Sequence, residues 1–139
     1  MKTEINNNLI RSFRPCYDPS EIVSDENETL PVKEWIEKYR NTVKSQVDIV
    51  WLICRNDFMT DRDLRLFAVW CAREALKLTK SPDERSINAC NVAELYANGE
   101  ATQDELSSAW AAAREAAWEA AWAAARAAQI NKLLTYFID

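Results

Sequence analysis

Residues 60–105 read TDRDLRLFAVWCAREALKLTKSPDERSINACNVAELYANGEATQDE, and their punctuation decides the fold. Thr60 followed by Asp63 is a helix start, because a Thr side chain ahead of an acidic first turn satisfies amide groups that have no partner inside the helix. Leu64, Phe67, Ala68, Cys71, Ala75 and Leu78 then recur at spacings of three and four, which predicts one apolar stripe running to about Thr79. Pro82 ends that helix. Ser81-Pro82-Asp83-Glu84 supplies an N-cap, a proline for the first turn and a capping acid, so a further helix begins there. It stops at Gly99, the single glycine of the chain, placed as a left-handed C-cap. Thr102-Gln103-Asp104-Glu105 is a second capping box and opens the last helix.

That last helix carries the sequence AWAAAREAAWEAAWAAARAA over residues 109–128, with 13 alanines in 20 positions. Alanine has the highest helix propensity, so the tract needs little help to be helical. Trp110, Arg114, Trp118, Trp122 and Arg126 recur every four residues as a slanting ridge, in which Trp and Arg neighbours can stack. Trp110 is expected to be buried; Trp118 and Trp122 divide between core and interface. One helix over residues 103–137 would be about 52 Å long, against a diameter of about 37 Å for a compact domain of this size. It must therefore bend, overhang or pack on a second copy, and a break near Gln129 to Asn131 is the least costly solution.

Toward the N-terminus the signals weaken. Thr29 and Pro31 open a helix reaching Tyr39 to Val43, and Ser45 with Asp48 opens another over Val47 to Arg55. The run Val47-Asp48-Ile49-Val50-Trp51-Leu52-Ile53-Cys54 is apolar almost all round, which suits a central helix, with a buried strand as the competing reading because four of its residues are β-branched. Residues 1–28 are Asn-rich, interrupted by Pro15 and Pro19, and carry the acidic run Ser24 to Glu28; they read as an irregular arm that docks through Phe13, Cys16, Tyr17 and Ile22, or binds a partner on folding. The expected organisation is an all-α fold of about five helices, with an irregular arm over 1–28 and one helical domain over 29–139.

The composition excludes much chemistry. The chain has 139 residues and no histidine, which removes Ser-His-Asp and Cys-His catalysis and imidazole ligation of metals or haem. One glycine leaves nothing for a Gly-rich phosphate loop. Asp61/Asp63 and Asp104/Glu105 are the carboxylate pairs of first helical turns, where they complement the helix dipole, and Glu115/Glu119 fall on a solvated face. Cys16, Cys54, Cys71 and Cys90 form no C-x-x-C pair and read as small buried hydrophobes of a reducing compartment, with a Cys71–Cys90 disulfide as the other option. The expectation is a cytoplasmic protein that is not an enzyme, with no cofactor and no metal.

Net charge is −5, and residues 81–106 alone carry six acids against one arginine. The basic residues Arg55, Arg62, Arg65, Arg73, Lys77 and Lys80 alternate with Asp57, Asp61, Asp63 and Glu74, which dilutes any stripe for DNA and argues against a nucleic-acid partner. No apolar run free of charge is long enough for a membrane. Glu94, Glu100, Asp104 and Glu105 instead are expected to form an acidic rim beside a ridge of Trp118, Trp122, Arg114 and Arg126, the composition of a protein–protein hot spot.

Residues 63–101, with Asp83, Arg85, Tyr96 and Gly99 in matching positions and the Ala-rich tract 109–128 behind them, resemble immunity proteins of bacterial polymorphic toxin systems. The resemblance covers about half the chain, residues 61–129; a weaker one points to phage-encoded accessory proteins. It implies stoichiometric binding and inhibition of a toxin, or by the phage route of a host defence nuclease as anti-CRISPR proteins do, without a cofactor. Two alternatives stand beside it: a nucleic-acid-binding regulator, and an assembly protein that forms a homodimer through the C-terminal helix.

Overall fold

The computed structural model describes residues 1–42, 46–113 and 128–137. It is mostly helical, with one two-stranded sheet, and among the described residues no helix is long and apolar enough to cross a membrane. The chain forms two compact units, Met1–Met59 with Ile130–Asp139, and Thr60–Gln129. The division falls after Met59.

In the first unit the N-terminal residues are built in. β1 (Glu4–Ile5) pairs antiparallel with β2 (Leu30–Pro31), Ile5 opposite Leu30. The Asn6 side chain accepts the Leu9 amide at 2.8 Å and starts α1 (Asn7–Ser12). Asp18 caps a 3₁₀ turn at Pro19–Glu21, accepting the Ser20 amide at 3.0 Å. The buried Asn7 amide donates to the Val23 carbonyl at 2.7 Å. Between these short elements residues 1–28 are irregular; asparagine and proline serve as caps and first-turn residues, while Ile5, Ile10 and Val23 supply the apolar anchors.

α2 (Val32–Tyr39) follows directly on Pro31 and buries Val32, Trp35, Ile36 and Tyr39, one stripe at helical spacing. Its last turn is held by Glu28, which accepts hydrogen bonds from Lys38 and the Tyr39 hydroxyl. α3 (Gln46–Ile53) is a helix, and the strand alternative falls away. It buries Ile49, Leu52 and Ile53 on one face and leaves Trp51 40% exposed, so it is not enclosed all round as expected. Ser45, the proposed cap, lies outside the described residues. Residues 128–134 are helical, without the break expected at Gln129 to Asn131, and Ile130 and Leu133 are fully buried. In the same unit the Arg40 guanidinium donates to the Asn131 side chain at 2.7 Å.

Arg55 closes α3. Its Nε donates to the Leu52 carbonyl at 2.7 Å and a terminal nitrogen to the Trp51 carbonyl at 3.0 Å, the last acceptors of a helix end. The guanidinium lies 3.9 Å from the Phe13 ring centre and 4.7 Å from that of Trp51. Tyr17 is pushed up to about 12, first by burial and then by Asp48, with Arg55 opposing. A raised phenol keeps its full contribution below the ordinary value of 10 and loses it as pH climbs toward 12. An ultraviolet titration is expected to show one of the four tyrosines ionising near pH 12, and Asp48→Asn to bring that step down. Tyr17→Phe removing amplitude near pH 10 and leaving the step near pH 12 in place would contradict the assignment.

In the second unit the caps fall close to where the sequence places them. Thr60 accepts the Asp63 amide at 3.1 Å and starts α4 (Asp61–Lys77). α5 (Glu84–Ala97) starts on Asp83, not Ser81: Asp83 accepts the Arg85 amide at 2.8 Å and also pairs with the Arg85 guanidinium. Pro82 therefore precedes the cap. Gly99, at φ +76°, ends α5 as predicted. Its amide donates to the Tyr96 carbonyl at 3.1 Å and the Glu100 amide to the Leu95 carbonyl at 2.7 Å, the two crossed bonds of a Schellman stop. α6 (Gln103–Ala113) opens on the reciprocal box, with Thr102 Oγ1 accepting the Glu105 amide at 3.1 Å and Glu105 accepting the Thr102 amide at 3.2 Å.

The cap assignment is testable. The Arg85 side chain and amide hold the Asp83 carboxyl down from 3.8 to about 2. Its contribution is complete above the unfolded value and disappears as pH falls toward 2. Asp83→Ala is expected to lower the melting temperature by a few degrees at pH 7, and by less at pH 2.5, while Ser81→Ala changes nothing. Equal shifts for the two variants would restore Ser81 as the cap.

α4 buries two faces. Phe67, Cys71 and Ala75 are buried as the stripe predicts, but so is Val69, whereas Ala68 is exposed and Leu78, past the last turn, is 58% exposed. Val69 packs with Cys90 and Ala93, against Ala72, Leu76 and Leu106, and a second cluster joins Ala89, Ala109 and Ala113. No disulfide joins Cys71 to Cys90; both are buried thiols.

Candidate functional site: an apolar cleft between three helices

Side-chain volume explains one concavity of the second unit. α4, α5 and α6 face one another largely through alanine, with Ala68 and Ala72 on the first, Ala89 and Ala93 on the second and Ala113 on the third. Methyl groups do not fill the space that longer side chains would. An open cleft of about 130 Å³ remains, walled also by Val69, Leu76, Cys90 and Leu106. A void of about 150 Å³ lined by apolar side chains holds a benzene-sized group, so this cleft accepts one side chain of the size of leucine or phenylalanine.

Trp110 stands at its edge, 46% exposed. The expectation that it is buried is corrected. Ala109 and Ala113 take the inward positions of α6, and Trp110, about 100° round the helix from Ala109, is left at the lip. Tyr96 is half-buried. Its hydroxyl donates to the Gln103 side chain at 2.8 Å and the Arg65 guanidinium lies 4.9 Å from its ring centre. Among the described residues Arg65 is the charged side chain in the lining, and no carboxylate pairs with it.

The acidic residues stand apart. Glu94 pairs with Arg73 at 2.7 Å, which holds its carboxyl below the ordinary range, and Asn91 also accepts from that guanidinium at 3.0 Å. Glu100 is exposed in the turn after α5, Asp104 is exposed in the first turn of α6, and Glu105 is spent on the cap. None of the four lines the cleft. Trp118, Trp122, Arg114 and Arg126, with Glu115 and Glu119, lie outside the described residues.

Burial pushes the Cys90 thiol up, with Arg73 acting weakly the other way. A neutral thiol in an apolar wall packs and does not attack. Among the described residues no three Cys, Asp or Glu side chains gather to hold a metal. Sequence reasoning missed Arg65 and the alanine walls; the available signal was the pairing of Ala68 with Ala72 and of Ala89 with Ala93, each four apart on facing helices.

The fold and site define a small helical protein with an open apolar cleft edged by Trp and Arg. Compared with protein-family models, with curated proteins and with solved structures, the chain finds no match.

Proposed function

We propose that this chain is a non-enzymatic protein-binding inhibitor that occludes a partner protein, with the cleft between α4, α5 and α6 as its contact. The observation that carries the reading is the half-exposed Trp110 beside an open apolar cleft of about 130 Å³. Leaving a large indole in water beside unfilled apolar walls costs hydrophobic free energy that docking recovers, and Trp with Arg at a concave apolar patch is the usual make-up of an interface hot spot. Trp118, Trp122, Arg114 and Arg126 repeat the four-residue spacing of Trp110 in the sequence and are proposed as partner-binding residues on that ground alone. The resemblance of residues 61–129 to toxin-immunity proteins supports a toxin as the partner class, with a defence nuclease as the phage-type counterpart and the cytoplasm as the place of action.

The test is recovery of partners from cells expressing the tagged chain, followed by titration of the purified partner. Trp110→Ala is expected to weaken binding about tenfold or more, the ordinary cost of a hot-spot tryptophan. Ala72→Leu, which fills the cleft, is expected to do the same while the circular dichroism spectrum stays unchanged. Undiminished affinity in both variants would remove the cleft as the contact.

A further inference from the structure

We infer that the partner segment seated in this cleft presents an apolar anchor side chain with a carboxylate next to it, so that the carboxylate meets Arg65. The inference rests on the docking reading and adds the chemistry of the occupant.

Residues 81–106 are acidic overall, but position decides which charges the cleft presents. Glu94 is paired with Arg73, Glu105 caps α6, and neither they nor Glu100 and Asp104 line the cleft. Arg65 does line it, and among the described residues its one interaction there is with the Tyr96 ring. A guanidinium over an aromatic face keeps its edge nitrogens available, and their fork geometry matches a carboxylate. The Tyr96 hydroxyl is already committed to Gln103 at 2.8 Å, so it holds the ring beneath Arg65 and does not compete for the ligand. The remaining lining is alanine, valine, leucine and tryptophan with the thiol of Cys90 and the hydroxyl of Ser86, a surface for a hydrocarbon or aromatic group. Charges on the acidic turns act through solvent and are screened beyond about 10 Å at ordinary salt, whereas Arg65 acts at contact.

Three isosteric probes read this chemistry without the partner: 4-phenylbutyrate, 4-phenylbutan-1-ol and 4-phenylbutylamine. The phenyl group stands for the anchor and the head group sets the charge. Titrated into the full chain and followed by amide chemical shifts, the carboxylate is expected to bind about fivefold more tightly than the alcohol, the amine more weakly still, with shifts centred on Ala72, Ala93 and Tyr96. Arg65→Glu is expected to invert the order of acid and amine, Arg65→Gln to equalise them, and Ala72→Leu to abolish binding of all three. Equal binding of the three probes to the unmodified chain, or preference for the amine, overturns the acidic partner while the docking reading stands. No binding of any probe removes both. Self-association that Ala72→Leu abolishes would make a second copy the occupant and also overturn the inference.

Discussion

Trp35→Ala is expected to destabilise the chain by about 3–5 kcal/mol, the range for deleting a buried tryptophan side chain. Trp35 is 2% exposed on α2 and tilts against Tyr39 with ring centres 5.4 Å apart. It belongs to the stripe with Val32 and Ile36, in a unit whose other fully buried side chains include Ile5, Ile49, Leu52 and Leu133. Those residues come from well-separated parts of the sequence, so collapse around a missing indole would require several elements to move together. Total stabilities of about 5–15 kcal/mol make this a large fraction. Urea unfolding followed by far-ultraviolet circular dichroism is the right measurement, since the substitution itself alters tryptophan fluorescence. Trp51→Ala is the matched control. That indole is 40% exposed and stacks on Arg55, so about 0.5–1 kcal/mol is expected from the lost cation–π contact. A loss below about 1 kcal/mol for Trp35→Ala would show that the site relaxes around the gap and that the core is not organised as described.

Gly99→Val carries the second-largest effect, and it isolates backbone conformation from packing. Gly99 sits at φ +76°, and a Cβ built there would meet no atom within 4 Å. Nothing clashes, so the cost is that of holding an L-residue in the left-handed region, about 1–2 kcal/mol, and greater for a β-branched side chain. The expected order of stability is Gly, then Asn, then Ala, then Val, because the Asn side chain makes local hydrogen bonds in that region. The loss also has a position. The Gly99 and Glu100 amides that close α5 direct the chain into Thr102, where α6 begins, and α6 carries Leu106 and Trp110 to the cleft. Gly99→Val is therefore expected to weaken probe binding as well as to lower the unfolding midpoint. Equal stability of the Gly and Val forms would mean the turn takes another conformation in solution.

The helix limits were the most legible part of the sequence. Thr60, Thr102 and Gly99 act on amides and carbonyls within a few residues of themselves, so their roles follow from spacing alone. Even there, the choice between Ser81 and Asp83 went to the residue whose carboxylate is also held by Arg85. Within the N-terminal 28 residues the short elements were not legible, because Asn6, Asp18 and Pro19 are turn formers by type and helix starters by position, and only neighbours far along the chain distinguish the two uses. The candidate site was legible in composition but not in place. The sequence named a ridge of Trp118, Trp122, Arg114 and Arg126, and those residues lie outside the described ones. Trp110 lies at the lip instead of in the core, the acidic residues are elsewhere, and Arg65, which the sequence offers only as one of several diluted basic residues, lines the cleft.

Short-range chemistry thus wrote the helical character, the caps and the lack of imidazole chemistry directly into the residue order, since each depends on the backbone within about four positions or on residue type alone. Packing wrote the rest. The joining of residues 1–59 with 130–137 into one unit, and the size and lining of the cleft, depend on sums of side-chain volumes from elements that meet only in three dimensions. An alanine is a good helix former wherever it stands; whether it closes a core or leaves a hollow is settled by what faces it.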